Sequence, residues 1–94
     1  MEDATEWDER KRLANIEKHG IDFIECFSFF DAPYLRVKAK VGRDGEERWM
    51  GLGVIREDLV VAVIYCLRDG AIRLISVRRA HETERRYYET FLEG

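Results

Sequence analysis

The chain of 94 residues has one proline, two cysteines, two histidines and no long apolar run. Cys26 and Cys66 stand far apart, with no CxxC spacing and no clustered histidines, so we predict buried free thiols and neither a metal site nor another cofactor. No segment approaches the roughly 20 apolar residues of a membrane-spanning helix, and the acidic start of the chain is unlike a signal peptide. These absences predict a cytoplasmic protein without a membrane segment.

The composition, 46% hydrophobic and 37% charged, is typical of a folded chain. Its length suits one hydrophobic core, which predicts a single domain over residues 1–94. The formal net charge of -3 argues weakly against nucleic acid as a partner. However, Arg36, Lys38, Lys40 and Arg43 come from one short segment, whereas acidic residues gather near both ends. This distribution predicts a basic face on an acidic protein.

Residues before Pro33 have the signals of two helices. Asp8 is a candidate N-cap of the first, and Gly20 suits a left-handed residue at its end. Lys18 and His19 fall in its last turn, where the helix dipole stabilises cations. The second helix begins with capping-box spacing at Asp22 and Glu25, and it ends before the proline. Its expected apolar stripe, at helical spacing, is Phe23, Cys26, Phe27 and Phe30.

From Tyr34 the hydrophobic period changes to two, which is typical of strands. We predict four strands, over residues 34–41, 48–52, 59–67 and 71–78, joined by turns at residues 42–45, 56–58 and 68–70. Gly51 and Gly53 should weaken the second strand or mark a bulge. A helix over residues 81–92 ends the chain. Because successive strands are joined as hairpins, the sheet should be antiparallel, in an α+β fold ordered α-α-β-β-β-β-α.

Several sequence pieces, in order and over most of the chain, resemble the BrnT toxin family. They are Trp7-Asp8, Asn15, Lys18-His19-Gly20-Ile21 with Phe23, Phe30-Asp31, Glu47-Arg48-Trp49, Leu52-Gly53, Val63-Ile64-Tyr65, Ile72-Arg73-Leu74-Ile75-Ser76, Arg78, and Glu84-Arg85 with Tyr88. The resemblance implies a bacterial RelE-like ribonuclease toxin that needs no metal. It also implies a BrnA-type ribbon-helix-helix antitoxin and a toxin dimer within a heterotetramer. The chain departs from the family pattern at Val77, where alanine is usual, and at His81, where threonine is usual.

RNA cleavage through the 2′-OH needs a base, cations that neutralise the phosphorane, and an acid for the departing 5′-oxygen. Arg78 is of interest because it stands where the last strand gives way to the last helix. Alternation along an undistorted strand would place Arg73 and Arg79 on one face and Arg78 on the other. The candidate catalytic residues are Arg78, Arg48, His19, Lys18 and Tyr88. The candidate RNA-binding residues are Arg36, Lys38, Lys40, Arg73 and Arg79.

Each of these residues also has a purely structural interpretation. A helix C-terminus explains Lys18 and His19, and surface ion pairs with Glu47, Glu82 or Glu84 explain the arginines. Two other functions therefore stay open: a catalytically inactive module that binds an antitoxin, and an RNA-binding domain that does not cleave. The acidic net charge favours the first of these two over the second.

Overall fold

The computed structural model describes residues 4–40 and 45–94. The described part of the chain begins with a strand, an α-helix, two 3-10 helices and a second strand, and three more strands and a C-terminal helix follow. Their bounds are β1 Ala4–Trp7, α1 Glu9–His19, 3-10 helices Phe23–Phe27 and Phe29–Asp31, β2 Leu35–Lys38, β3 Trp49–Ile55, β4 Leu59–Arg68, β5 Ala71–Arg79 and α2 Glu82–Glu93. The predicted α+β class and C-terminal helix are confirmed. Residues 42–44 of the predicted turn lie outside the described residues.

The sheet has five strands in the order β1-β5-β4-β3-β2, and β1 pairs with β5 in parallel. The remaining neighbours are antiparallel, as predicted. The prediction of a four-stranded, wholly antiparallel sheet is wrong at this one edge. Strand β1 is only four residues long, so each face of it carries two side chains, which is too few for a recognisable alternation.

The helix caps predicted from the sequence are confirmed. The Asp8 carboxylate accepts a hydrogen bond from the Arg10 amide at 2.8 Å, and Gly20 ends α1 in the left-handed conformation with φ of 71°. A capping box starts the next segment, because the Glu25 carboxylate accepts from the Asp22 amide at 3.0 Å. Local hydrogen bonds of this kind fix where each element begins.

The segment after this capping box forms the two consecutive 3-10 helices instead of the predicted α-helix. Side chains three residues apart lie on the same face of a 3-10 helix. Accordingly Phe23, Cys26 and Phe29 are all buried, with at most 1% of each exposed. Phe27, which the predicted stripe included, is 52% exposed and packs its ring 5.8 Å from that of Trp7.

Two glycines in β3 make room for the ring of Phe29. Gly51 and Gly53 pair regularly with Val63 and Val61 of β4, so the expected bulge does not occur there. A Cβ atom would lie 3.0 Å from the Phe29 ring at Gly51 and 2.7 Å from it at Gly53. Because these two positions lack side chains, the sheet has a shallow groove there, and the Phe29 ring fits into it.

Hydrophobic residues cover both faces of the sheet. We call the face that packs on the 3-10 helices the aromatic face, and the face beneath α2 the α2 face. The aromatic face and its cover consist of Ile21, Phe23, Cys26, Phe29, Ile55, Val61, Val63, Tyr65, Ile72, Leu74 and Val77. Leu52, Ala62 and Tyr88 form the smaller core of the α2 face. Cys26 and Cys66 are free and buried, as predicted.

Candidate functional site

Asn15 fastens α1 to the free edge of β5. Strand β1 covers this edge only as far as Leu74. Beyond it, Asn15 Oδ1 accepts from the Val77 amide at 3.0 Å, and Nδ2 donates to the Val77 carbonyl at 2.9 Å. Nδ2 also donates to the Ile21 carbonyl at 2.9 Å. The carboxamide therefore replaces the peptide group of a neighbouring strand, and it fixes the end of α1 beside β5.

An open cleft of about 240 Å³ lies between α1 and β5, just beyond this anchor. Lys18, which is exposed, and His19, which is half-buried, reach it from the last turn of α1. The residues that line the cleft are Lys11, Ala14, Asn15, Lys18, His19, Ile75 and Ser76. The cleft thus has the cationic and imidazole groups of α1 on one wall and the β5 residues Ile75 and Ser76 on the other.

The surroundings of His19 favour the neutral form of its imidazole. Burial, followed by the positive charges of Lys18 and Arg78, lowers the pKa of the imidazole below its ordinary value. A neutral imidazole near pH 7 can accept a proton. Because the positive charge of Arg78 contributes to this shift, Arg78 acts electrostatically on a residue that lines the cleft.

Arg78 is oriented by Glu84 of α2. Its Nη1 and Nη2 atoms donate to the two carboxylate oxygens at 2.8 and 3.0 Å, and both side chains are mostly buried. Glu84 also accepts from the His81 amide at 2.7 Å, which caps the start of α2. The hydrogen bond from Arg78 holds the pKa of the Glu84 carboxyl below its usual range, and that of Arg78 is raised. This pair therefore stays charged at neutral pH.

The guanidinium of Arg78 keeps one edge available. Arginine has five N–H donors, and the bonds to Glu84 and to the Arg79 carbonyl use both Nη1 hydrogens and one on Nη2. Within the described part of the chain, the Nε–H and the second Nη2 hydrogen have no hydrogen-bond partner. Two parallel N–H donors of this kind match a phosphate group.

Comparisons with known proteins identify the family. The family model described as the ribonuclease toxin BrnT of type II toxin-antitoxin systems matches residues 7–84, which include His19, Arg78 and Glu84. The chain belongs to the BrnT family of ribonuclease toxins. The crystal structure of the Brucella abortus ribonuclease toxin BrnT is 32% identical, with a TM-score of 0.66, over 86% of this chain and all of that one. A search of curated proteins found no match.

Membership of the BrnT family makes this chain a ribonuclease of a type II toxin-antitoxin system, as the sequence resemblance implied. Such a toxin acts on RNA and has an antitoxin as its partner. Among residues 4–40 and 45–94, no helix is long and apolar enough to cross a membrane. No three potential metal-ligating side chains cluster in that same part of the chain.

A bulge in β5 changes the arrangement of arginines in this BrnT chain. The pairing with β4 skips Ile75, which is the extra residue of the bulge. As a result Arg73 lies opposite Cys66 and Arg78 lies opposite Ala62, and these two β4 residues are four positions apart. Such residues share a face, since one extra residue reverses the alternation. The expectation that Arg73 would share a face with Arg79 is wrong: Arg73 and Arg78 lie on the α2 face, and Arg79 on the other. Arg73 forms an ion pair with Glu6 at 3.3 Å.

Of the five candidate catalytic residues only Lys18 and His19 line the cleft, whereas Arg78, Arg48 and Tyr88 are not among the lining residues. Arg48 immediately precedes β3, about 13 Å along that strand from the position level with Arg78. Its Nε atom is buried and has no hydrogen-bond partner among the described residues. Tyr88 of α2 is 6% exposed and packs against Leu52 and Ala62 of the sheet.

The basic segment predicted to bind RNA lies on β2 and just after it. Arg36 and Lys38 pair with Gly51 and Trp49 of β3, two positions on the aromatic face, which is opposite Arg78. Lys40 is exposed beyond the end of β2. The structure therefore separates this basic segment from the His19 cleft.

Sequence reasoning missed the positioning role of Asn15. Asparagine is a poor residue for a helix interior, because its amide competes for backbone hydrogen bonds. Its place in the middle of α1 was the available signal for Asn15. Glu84 was among the glutamates expected to pair with the arginines, and the structure shows that it pairs with Arg78 in a mostly buried position.

Proposed function

We propose that this BrnT chain cleaves RNA without a metal ion at the cleft beside His19 and Arg78. The 2′-oxygen attacks the adjacent phosphorus, a 2′,3′-cyclic phosphate forms, and the bond to the 5′-oxygen breaks. One observation carries the proposal: His19 lines the cleft next to Lys18, and its pKa is lowered in part by the charge of Arg78, which Glu84 holds in place.

His19 acts as the general base. It takes the proton of the 2′-OH as the new phosphorus–oxygen bond forms. Its lowered pKa keeps the imidazole unprotonated near neutral pH, so no proton has to leave the ring before the reaction. The half-buried position of the ring limits competition from bulk water for the same hydrogen bond.

Arg78 and Lys18 supply the positive charge. Arg78 binds the phosphorane oxygens through Nε and Nη2, because Glu84 occupies its other edge. Lys18 lines the cleft next to His19. Its ammonium group offsets the charge on the departing 5′-oxygen and gives it a proton. One charge-assisted contact to the transition state contributes about 3 to 4 kcal/mol when it is preorganised.

Cleavage of RNA in excess EDTA tests this proposal. Arg78→Ala should reduce kcat by about 10² to 10³-fold. Arg86→Ala is the matched control, since Arg86 is exposed on α2 and forms an ion pair with Glu82 at 2.7 Å, its one such partner among the described residues. Cleavage by Arg78→Ala at the wild-type rate would contradict the assignment. If the wild-type protein retains RNA without cutting it, the RNA-binding alternative is correct; if it does neither, the inactive antitoxin-binding module is.

The pH dependence of cleavage tests the role of His19 separately. A base is active when unprotonated, so kcat/KM should rise with pH through the pKa of His19 and then level off. Because this pKa is lowered, the inflection should lie below the ordinary value of about 6.5. His19→Gln should cleave slowly and lose this inflection. An unchanged inflection in the variant would assign the base to another group.

We infer that a BrnA-type ribbon-helix-helix antitoxin neutralises the toxin by covering these cations, within a heterotetramer that contains a toxin dimer. The net charge is -3, so RNA must be attracted by local cations instead of the overall field. A partner that binds the native state also raises the melting temperature. Antitoxin should therefore protect the Arg78 region from hydrogen exchange. Faster exchange of core amides in the inhibited complex would indicate destabilisation instead.

A further inference from the structure

A cationic side chain covers the ring of Trp49 on the aromatic face. The Arg36 Cζ atom lies 4.3 Å from the centroid of the Trp49 ring, and the Lys38 Nζ atom lies 5.8 Å from it. Trp49 itself is partly buried against the core, whereas Arg36 is exposed. The partly buried indole ring thus has two exposed cationic side chains next to it, and Arg36 is the nearer of them.

Arg36 is held there weakly. Within residues 4–40 and 45–94 it forms no ion pair, whereas Lys38 is paired with Glu47 at 3.1 Å. A planar guanidinium stacks on an indole through its charge and its flat shape. A nucleobase is also planar, and it stacks on aromatic side chains in the same way. The position of Arg36 over Trp49 is therefore one that a base can occupy.

Tyr65 provides a polar group next to this ring. It is the direct cross-strand partner of Trp49, on the same face of the sheet. Its side chain is 1% exposed, and its hydroxyl oxygen makes no hydrogen bond with the described residues. Burial and then Tyr34 raise the pKa of this hydroxyl, while nearby Arg36 opposes them. Displacement of Arg36 would leave a face of the indole ring open and would remove a charge that acts on the Tyr65 hydroxyl, a group that can donate and accept.

We propose that Trp49, Arg36 and Tyr65 form a subsite for an unpaired RNA base. The base replaces Arg36 on the Trp49 ring, the Tyr65 hydroxyl bonds to the base edge, and Arg36 binds the neighbouring phosphate. This inference rests on the proposed RNA substrate. The subsite lies on the opposite sheet face from Arg78 and two strands away, so it contributes to binding and not to the chemical step.

The geometry selects single-stranded RNA. Bases in a duplex are stacked on their neighbours, and their edges are paired, so neither a free ring face nor a free edge is available. Stacking on one aromatic ring tolerates any base, because every base has a flat face. We therefore expect the subsite to prefer unpaired segments with little preference among sequences.

Tryptophan fluorescence tests the subsite directly. Trp7→Phe leaves Trp49 as the one tryptophan, and phenylalanine preserves the aromatic contacts of Trp7 with Phe23 and Phe27. The probe is a single-stranded 2′-O-methyl oligonucleotide, which lacks the attacking hydroxyl. It should quench Trp49 in a saturable manner, whereas an abasic strand with the same phosphates should not. Trp49→Phe, which retains only Trp7, is the control and should show no quenching.

Affinity and kinetics give a second measurement. Trp49→Leu should weaken binding of the oligonucleotide by about 5- to 100-fold, while Trp49→Phe retains most of the affinity. For cleavable RNA, Trp49→Leu should raise KM and leave kcat near that of the wild type. Should Trp49→Leu fail to fold, the quenching experiment decides alone.

Three results would overturn the subsite: no quenching, equal quenching by the abasic strand, or equal quenching by a duplex. Equal quenching by the abasic strand would mean that Arg36 and Lys38 bind phosphate only. These results are distinguishable from failure of the proposed function, because that function is measured by cleavage in EDTA. Cleavage without base-dependent quenching removes the subsite and leaves the ribonuclease assignment intact.

Discussion

Replacing Asn15 by leucine should remove the anchor that holds α1 against β5. Leucine has a similar size but no polar side-chain atoms, so the packing volume is conserved while four hydrogen bonds are lost, the fourth being a long one from the Ser76 hydroxyl. The Val77 amide, the Val77 carbonyl and the Ile21 carbonyl then lack their partner in a site where Asn15 is 5% exposed. Each buried group left unsatisfied costs about 1 to 3 kcal/mol, which gives about 3 to 5 kcal/mol after partial relaxation.

A loss of this size is large for this chain. At 0.05 to 0.15 kcal/mol per residue, 94 residues correspond to a free energy of unfolding of about 5 to 14 kcal/mol. For a domain of this size each kcal/mol shifts the melting temperature by about 4 to 8 °C, so Asn15→Leu should melt at least about 12 °C lower. The His19 cleft would lose its fixed geometry at the same time, and cleavage should fall with it.

Urea unfolding and native-state hydrogen exchange measure the effect of Asn15→Leu. The slope of unfolding free energy against urea should stay constant, the midpoint should fall, and the Val77 amide should lose its protection. Glu17→Ala is a suitable control, since Glu17 is exposed on the same helix and should change stability by less than about 0.5 kcal/mol. A loss below about 1 kcal/mol for Asn15→Leu, or a protected Val77 amide, would refute the reasoning.

Two further predictions concern charged and thiol groups. Glu84→Ala should reduce kcat more than it changes KM, because Arg78 loses its orienting partner, and it should lower the free energy of unfolding by about 1.5 to 3 kcal/mol. Glu82→Ala is the control: Glu82 belongs to an exposed pair, so this variant should change neither kcat nor stability. Equal effects of the two variants would contradict the positioning role of Glu84. Burial raises the pKa of Cys26 to about 12 and also raises that of Cys66, so both should react with a thiol reagent only after denaturant is added. Fast labelling of either cysteine in the native protein would show that it is accessible.

The local parts of the fold follow from the sequence. The caps at Asp8, Gly20 and Asp22 depend on residues within one helical turn, and they are where the sequence predicts them. The turn at Asp69 and Gly70 is similar, since both residues take the positive φ that a tight hairpin needs. Such features are determined by short-range sterics and hydrogen bonds, which a sequence displays directly.

The remaining features depend on contacts that are distant in sequence. Strand β1 forms because β5 offers an edge, and its four residues carry no pattern of their own. The bulge at Ile75 is a property of the β4–β5 pair, so the shared face of Arg73 and Arg78 could not be read from alternation. Asn15 reaches Val77 across 62 positions of the sequence. The candidate site could accordingly be predicted as a set of residue types, but not as an arrangement.

The chemical ends of the RNA products test most directly whether the chain cleaves RNA by metal-free attack of the 2′-OH. In excess EDTA, the wild-type protein should leave a 2′,3′-cyclic phosphate on one fragment and a 5′-hydroxyl on the other. A substrate with a single 2′-deoxy nucleotide at the cut position should resist cleavage there, because the attacking group is missing. Products with 3′-hydroxyl and 5′-phosphate ends, or cleavage at the deoxy position, would contradict the roles given to His19 and Arg78.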